Sequence, residues 1–454
     1  MLSRRLALAL VVVAALVGPA GATPQGPVPV SVTTFVITGR GWGHGVGMPQ
    51  WGAYGYAQHG VSYDKILAHF YPGTKLALAP VAKIKVLLLD SARKILLSSP
   101  DPFTVVDGDG IRHQISGGNY PLTPALKVQL APDKPAEALP GPLRFVPGTS
   151  PLWLAHPWRG DLVVSASANG KSLSVVNSVP IDSYVRGVVS NEMPRDWPLE
   201  AVKAQAVAAR SYALAHKRGA EFDVYSDTRD QVYGGIATET PVGDQAVAAT
   251  RQQVLMYDGK VATTYFFSSS GGMTASIGDV FASSKPVPYL VSVPDPYDTA
   301  SPWHTWGPVV VPAATAAREL GVPGLLGLRP VPATGRPRFV IAIGRDGDVP
   351  LRGGDIRRAL GLRSGWIRVG VLMLSRPGGR APAGSSVTLS GRAELVKGVT
   401  LEQRAPGGVW QAGPALTVGS DSSFSVAVTP ASTTEYRLAA GAVKGSPLRV
   451  VVGS

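Results

Sequence analysis

Two consecutive helical patterns constrain the fold of this chain more than any other feature. After Pro180, a residue suited to the start of a helix, apolar side chains follow the i, i+3, i+4 spacing of an amphipathic helix. The second pattern opens at Pro198, runs to about His216 and consists almost wholly of good helix formers. The short connection between them holds Glu192, so we predict a helical hairpin with this carboxylate at its corner. The apolar residues of the first pattern are Ile181, Tyr184, Val185, Val188 and Val189.

The rest of the chain predicts many short strands. Among 454 residues are 53 Gly and 40 Pro, and they interrupt β-branched runs at short intervals. Such runs fill the region from Val81 to about Asn177, and another at 33–38 leads into a Gly-rich segment. Beyond a linker at 375–380 the pattern is all strand. We therefore predict an α+β fold, in which a β-rich domain at 33–373 carries the helical hairpin and a small immunoglobulin-like β-sandwich occupies 381–454.

The first 22 residues predict a signal peptide. Arg4 and Arg5 precede an apolar run from Leu6 to Val17, and Ala20-Gly21-Ala22 has the small-x-small pattern of a cleavage site. The run is shorter than the about 20 residues of a spanning helix, which favours a cleaved signal over a membrane anchor. We expect an exported, extracytoplasmic protein with no stable membrane span after cleavage.

Cysteine content and charge exclude several classes of protein. The chain has no cysteine, which excludes disulfides and thiolate metal sites. Its 43 Lys and Arg against 30 Asp and Glu give a net charge of +13, spread along the chain. This distribution favours diffuse attraction to a polyanion over a sequence-reading groove, and no nucleic-acid recognition motif is present. We predict no nucleic-acid partner, because a polymer rich in carboxylate or phosphate satisfies the same electrostatics.

Four separated segments resemble the stage II sporulation protein D (SpoIID/LytB) family. The resemblance covers roughly residues 33 to 373. In the family, the Gly-Trp-Gly-His-Gly block usually closes the domain, whereas here it opens it, so the chain looks like a circular permutation. This order requires the strand at 33–38 to lie beside the strand at about 366–372. The segments are SYVRGVVSNEMPRDWPLEAVKAQAVAARSYAL at the hairpin, SDTRDQVYGG (226–235), TTYFFSSSGGMT (263–274) and GRGWGHGVGMPQWGAYGYAQHGVSYDKILAHFYPGT (39–74).

The resemblance implies a peptidoglycan lytic transglycosylase, with glycan strands as its partner and the cell wall as its place of action. Such enzymes cut between N-acetylmuramic acid and N-acetylglucosamine with a single carboxylate, because the sugar's own C6 hydroxyl attacks C1 and leaves a 1,6-anhydro end. Hydrolases usually need two carboxylates. By resemblance Glu192 is the catalytic glutamate, first an acid and then a base. The alternative is that Glu192 caps the second helix or pairs with Arg195.

The same resemblance supplies the remaining site residues. Arg210 joins Glu192 in the catalytic set, for substrate orientation or charge stabilisation, with a helix-packing salt bridge as the alternative. A guanidinium in contact would lower the pKa of the carboxyl, against the need of a general acid. For the substrate-binding residues the alternatives are buried packing and turn-stabilising hydrogen bonds. The predicted substrate-binding residues are Trp42, His44, Gln50, Asp227, Gln231, Tyr233, Ser269, Gly271 and Gly272.

We predict no cofactor and no metal ion. Asp227 and Asp230 alone are a poor zinc set, and His44, His59 and His69 lack a compact ligand spacing. Two other functions stay open. One is a non-catalytic wall-binding modulator that stimulates a separate cell-wall amidase, as the LytB name in the family suggests, and the other is a structural surface protein whose domain is inert.

Overall fold

The structure, a computed structural model, describes residues 28–281, 285–331, 336–337 and 339–453. The predicted signal peptide at 1–22 lies outside the described residues. The chain forms two compact units. The large unit holds Ile37–Val309 and Ala314–Val369, and the small unit holds Val310–Ala313 together with the described residues up to Val36 and from Gly370 onward. Within the described ranges, no helix combines the length and apolar character needed to cross a bilayer.

The fold is α+β, as predicted, with strands outnumbering helices in the described ranges. The helices are α1 Gln50–Gln58, α2 Tyr63–Phe70, α3 Ile181–Glu192, α4 Leu199–Ala215, α5 Pro241–Ala249, α6 Ile277–Val280, α7 Ala313–Leu320 and α8 Gly353–Ala359. The strands are β1 Val30–Arg40, β2 Met48–Pro49, β3 Lys75–Leu78, β4 Lys83–Ala92, β5 Ile95–Ser99, β6 Phe103–Val106, β7 Arg112–Ile115, β8 Gly118–Leu122, β9 Lys127–Val128, β10 Glu137–Ala138, β11 Leu143–Val146, β12 Leu152–Leu154, β13 His156–Trp158, β14 Asp161–Ala166, β15 Leu173–Pro180, β16 Val224–Tyr225, β17 Gln253–Tyr257, β18 Lys260–Val261, β19 Phe266–Phe267, β20 Thr305–Pro312, β21 Gly327–Val331, β22 Phe339–Gly344, β23 Gly347–Arg352, β24 Ile367–Arg376, β25 Val387–Glu394, β26 Thr400–Arg404, β27 Gln411–Ala415, β28 Ser423–Val428, β29 Thr434–Ala440, β30 Val443–Lys444 and β31 Leu448–Val450.

The predicted helical hairpin is confirmed in α3 and α4. Pro180 and Pro198 stand at the N-caps of their helices with ψ of 138° and 135°, outside the helical conformation. Helix α3 buries the apolar face that its periodicity defines, whereas α4 is buried over most of its length and packs against α1, α2 and α5. Its alanines make this possible, because small side chains let helices approach on several sides.

The hairpin lies against the main sheet of the large unit. This sheet has the strand order β16-β4-β15-β14-β11-β6-β7, and its strands β4, β14 and β15 pair antiparallel over most of their lengths. Strand β15 runs directly into α3 through Pro180. The sheet therefore fixes where α3 starts, and α3 carries Glu192 to its far end.

Strand β1 lies between β20 and β24. The Arg40 N–H donates to the Trp366 carbonyl at 3.0 Å, and the Ser364 hydroxyl donates to the Arg40 carbonyl at 2.6 Å. The adjacency that the permuted order requires is therefore confirmed. Strand β24 continues to Arg376, so the first two residues of the predicted linker are strand.

In the small unit the described elements from residue 387 onward are all strands. Strand β25 pairs with β24 and β28, and β29 pairs with β26, β30 and β31. Both groups contribute to one hydrophobic cluster that includes Leu374, Leu389, Leu401 and Leu438. An immunoglobulin-like topology for these strands stays a prediction.

Candidate active site around Glu192

Glu192 is the last residue of α3, and its side chain is partly buried. Gln50 Nε2 donates a hydrogen bond to Glu192 Oε2 at 3.0 Å. Burial raises the pKa of Glu192 above its ordinary value, and the Gln50 hydrogen bond offsets only part of this rise. The C-terminal end of a helix dipole also disfavours a negative charge. A carboxyl in this setting keeps its proton to higher pH, as a general acid requires.

The predicted substrate residue Gln50 reaches Glu192 because strand β2 holds the start of α1. Strand β2 pairs in parallel with β19, and the Trp51 N–H donates to the Ser268 carbonyl at 2.9 Å. Next to Gln50, the Trp51 ring lies edge-on to Trp197, with centroids 4.8 Å apart. Trp197 belongs to the short connection between α3 and α4, so the aromatic contact ties the corner of the hairpin to α1.

His44 lies in the Gly-rich block and is neutral. Its Nδ1 accepts from the Val46 N–H at 3.1 Å, which leaves Nε2 to carry the proton and donate to the Phe266 carbonyl at 3.0 Å. Burial lowers the pKa of His44 to about 4. Both ring nitrogens therefore hold the Gly-rich turn against β19, which is the structural alternative for this residue. Direct contact of His44 with substrate stays a prediction.

The loop of Ser269, Gly271 and Gly272 turns its polar groups inward. The Ser269 hydroxyl and the Gly271 N–H both donate to the buried carboxylate of Asp298, at 2.9 and 2.8 Å. Gly271 and Gly272 have φ of +72° and +109°, and a Cβ on Gly271 would lie 2.7 Å from the Gly41 nitrogen. These contacts stabilise the loop, as the turn alternative proposed. The loop in turn positions Trp42, whose backbone bridges to Ser269 and whose side chain is 38% exposed.

Arg210 is fully buried and makes contacts typical of helix packing. Its Nη2 lies 2.8 Å from Asp182 Oδ1, and Nη1 donates to the Gln253 carbonyl at 2.8 Å. Asp182 stands in the first turn of α3 and Glu192 at its last residue. Ten residues of helix separate them by about 15 Å. The ion pair is the structural alternative for Arg210, and a part in catalysis stays a prediction.

The segment with Asp227, Gln231 and Tyr233 lies beside the start and middle of α3. Asp227 is half-exposed and pairs with Arg229 at 2.7 Å. Gln231 accepts a hydrogen bond from the Tyr184 hydroxyl at 2.9 Å, and a Cβ on Gly187 would lie 2.7 Å from the Tyr233 ring. Gln231 and Tyr233 are nearly fully buried, so they pack against α3 and hold it in place. Within the described residues, none of the three side chains forms a hydrogen bond with the Glu192 carboxylate.

Two buried acids, Asp295 and Asp298, were not predicted from the sequence. Asp295 accepts from the Ser270 hydroxyl at 2.7 Å, and a Cβ on Gly52 of α1 would lie 2.4 Å from its Oδ2. Burial raises the pKa of Asp295 to about 7. The signal that could have found the pair is the occurrence of two acids in the aromatic and Pro-containing stretch DPYD. In the ranges that the structure describes, no three His, Cys, Asp or Glu side chains group as a metal site would need, and the absence of a metal stays a prediction.

Comparison with known proteins connects this geometry to one family. A family model described as "Stage II sporulation protein" matches residues 169–257, which include β15, the hairpin and β17. An uncharacterised protein of Brachyspira hyodysenteriae is 45% identical over 126 residues, 27% of this chain and 34% of that protein. The amidase enhancer of Bacillus subtilis is 42% identical over 119 residues, 26% of this chain and 16% of that protein.

A third relative matches over a longer stretch. Stage II sporulation protein D of Bacillus amyloliquefaciens is 31% identical over 247 residues, 48% of this chain and 68% of that protein. The chain thus spans about a third of the first relative, less than a fifth of the second and about two thirds of the third. No solved structure matches significantly. The long match and the family model together show that this chain belongs to the stage II sporulation protein D family.

Proposed function

We propose that this protein is an exported, cell-wall associated lytic transglycosylase that cleaves the bond between N-acetylmuramic acid and N-acetylglucosamine in peptidoglycan. The observation that carries the proposal is the setting of Glu192. Burial raises the pKa of Glu192, and the hydrogen bond from the neutral donor Gln50 lowers it by less. Within the described residues, no charged neighbour contributes to the shift. A single carboxyl with a raised pKa, and with no second carboxylate in contact with it among the described residues, suits a reaction that uses no water, whereas glycoside hydrolysis usually needs a pair.

In the proposed mechanism, Glu192 performs both proton transfers. The protonated carboxyl gives its proton to the glycosidic oxygen as the bond to C1 breaks and positive charge develops on the ring. The resulting carboxylate then takes the proton of the C6 hydroxyl, whose oxygen bonds to C1 and closes the 1,6-anhydro ring. Gln50 donates to the carboxylate at this stage, so it stabilises the form that exists between the two transfers.

Product analysis by mass spectrometry tests the proposal. Purified glycan strands digested with the wild type should yield fragments ending in 1,6-anhydro-N-acetylmuramic acid, and Glu192→Gln should yield none. Glu221→Gln, the same change at an exposed position of the large unit, serves as the control and should retain activity. Fragments with reducing ends would instead indicate a hydrolase with a second carboxylate.

A second candidate function is a non-catalytic modulator that binds the wall and stimulates a separate amidase. It is favoured by one observation, the 42% identity over 119 residues to a protein named amidase enhancer. The C-terminal strands, which we propose form an immunoglobulin-like sandwich, would then act as a spacer or wall contact. Two results would favour this function: the Glu192→Gln protein still binds glycan strands, and the wild type releases no product from them after long incubation.

A further inference from the structure

A hollow with aromatic and cationic walls lies in the large unit, between the ends of three strands. Its volume is about 420 Å³, within the range of small-molecule sites. The end of β1, the start of β20 and the start of β24 form its walls, so its side chains stand on regular strands. The lining residues are Thr38, Gly39, Arg40, Thr305, Trp306, Gly307, Trp366 and Arg368.

The hollow carries positive charge that no acid of the described chain neutralises. Arg40 and Arg368 are exposed, and no carboxylate of the described residues lies within ion-pair distance of either. The Arg40 guanidinium lies 5.3 Å from the centroid of the Trp366 ring, and the Arg336 guanidinium lies at the same distance from that ring. Such cation–π contacts orient a guanidinium without removing its charge or using its N–H donors.

Trp306 supplies an unpaired hydrogen-bond donor. Its side chain is 8% exposed, and its Nε1 has no hydrogen-bond partner within the described residues. A Cβ on Gly39 would lie 2.2 Å from the indole, so the absence of a side chain at position 39 lets Trp306 occupy this place. Buried donors are normally paired, and one without a partner beside a hollow indicates a ligand acceptor.

We propose that the hollow is a subsite for an acidic saccharide, a sugar ring that carries a carboxylate or a phosphate. The indoles offer apolar surface to the ring, the Trp306 N–H and the two threonine hydroxyls bond its oxygens, and Arg40 and Arg368 bind the anionic substituent. The inference rests on the proposed function in one respect, namely that the ligand is part of a glycan strand. From Arg40 the chain leads to Gln50 beside Glu192, a separation of at most roughly 36 Å for ten residues, which a strand of several sugars can cover.

Nuclear magnetic resonance of the full chain labelled with ¹⁵N-tryptophan tests the subsite directly. The Trp306→Phe variant assigns the indole N–H signal of Trp306, which is then followed during titration of the unmodified sequence. N-acetylmuramic acid and N-acetylglucosamine share a ring and differ in the carboxylate, and N-acetylglucosamine 6-phosphate carries the phosphate instead. We expect at least one of the two acidic sugars to shift the signal and to bind about tenfold more tightly than N-acetylglucosamine. The acidic sugar that binds more tightly shows whether the subsite prefers a carboxylate or a phosphate.

Two variants separate the subsite from general charge. Arg40→Gln should weaken binding of the acidic sugar by about tenfold, whereas Arg112→Gln, the same change on exposed β7, should leave it unchanged. Equal shifts by N-acetylglucosamine and both acidic sugars, equal shifts by inorganic phosphate alone, or no shift by any sugar would overturn the proposal. The titration is repeated with Glu192→Gln, which should shift the Trp306 signal as the wild type does. Absence of anhydro products from the wild type would refute the cleavage proposal, whereas absence of the Trp306 shift would refute the subsite.

Discussion

The residues that match the family differ in what they do once folded. Gln50 lies against Glu192, as a substrate-binding assignment would require, whereas Gln231 and Tyr233 are buried beneath α3. The segments that contain all three were found by resemblance, because nothing local in the sequence links position 50 to position 192. Residue identity alone could not separate a groove side chain from a supporting one, since Gln and Tyr serve both purposes when their polar atoms are satisfied.

Replacing Gln50 should move the pH dependence of the reaction. Gln50→Leu removes the donor that lowers the pKa of Glu192, so that pKa rises further. A general acid must be protonated, and the alkaline limb of the rate profile should therefore shift to higher pH. The maximal rate should fall about 10- to 100-fold, because the carboxylate formed by proton transfer loses its hydrogen bond.

The matched control is Gln58→Leu at the exposed end of the same helix, which should change neither limb. Measurement of kcat across pH 4 to 9 decides between the outcomes. An alkaline limb that stays in place in Gln50→Leu would contradict the assignment of that limb to Glu192.

Replacing Arg210 should destabilise the fold more than it impairs chemistry. Arg210→Met leaves the carboxylate of Asp182 without its partner. Removing one partner of a buried pair costs about 3 to 5 kcal/mol, and because Asp182 is 23% exposed we expect a cost of about 3 kcal/mol or less. Arg186→Gln, which removes a half-exposed pair between α3 and Asp244 of α5 at 3.7 Å, should cost about 1 kcal/mol or less. Urea unfolding measures both. A fully stable Arg210→Met protein that makes no product would favour the catalytic role instead.

Asp295 should make the fold less stable as pH rises. Its pKa is raised by burial from 3.8 to about 7, so the native state holds the proton where the unfolded chain has lost it. This stability is fully present below pH 3.8 and is lost as pH rises through about 7. Asp295→Asn should flatten the pH dependence of the unfolding free energy over this window, by about 4 kcal/mol at most. Urea unfolding at pH 4, 5.5 and 8 checks it, and parallel curves for the two proteins would refute the buried proton.

Among the elements, the long helices were predictable and the short strands were not. Helices α3 and α4 could be predicted because their signals, apolar periodicity or helix-forming composition and a proline at each start, are local in the sequence. The pairing of β1 with β24 joins segments more than 300 residues apart and followed only from the permuted order. The two-residue strands β2 and β19 are too short for any pattern, yet their pairing places Gln50.

Strand β1, which contributes residues to both units, should be indispensable to the fold. Because β1 lies between β20 and β24, a chain that begins at Gly39 would expose the facing hydrogen-bonding groups of both neighbours. We expect such a chain to lose its cooperative unfolding transition by circular dichroism. A chain that begins at Val32 loses, among the described residues, only exposed ones, and should unfold as the longer chain does. A cooperative transition in the chain that begins at Gly39 would show that β1 is dispensable.

At the scale of the whole molecule, the sequence predicted two domains, each a continuous stretch of the chain. The small unit instead collects segments from the beginning, the middle and the end of the described sequence, and β1 and β24 each continue from one unit into the other. A composition change near residue 375 reveals the start of the C-terminal strands. It carries no information on Val36 and Val310, which join the cluster of Leu372 and Leu374 through the fold alone.

The central claim is that one carboxylate, Glu192, cleaves glycan strands without water. Digestion in water enriched in heavy oxygen, followed by mass spectrometry of the new ends, tests it most directly. The account predicts anhydro ends that contain no heavy oxygen, formed by the wild type and by Glu221→Gln and absent with Glu192→Gln. Heavy oxygen in the new ends of the wild-type digest, or products that persist in Glu192→Gln, would contradict it.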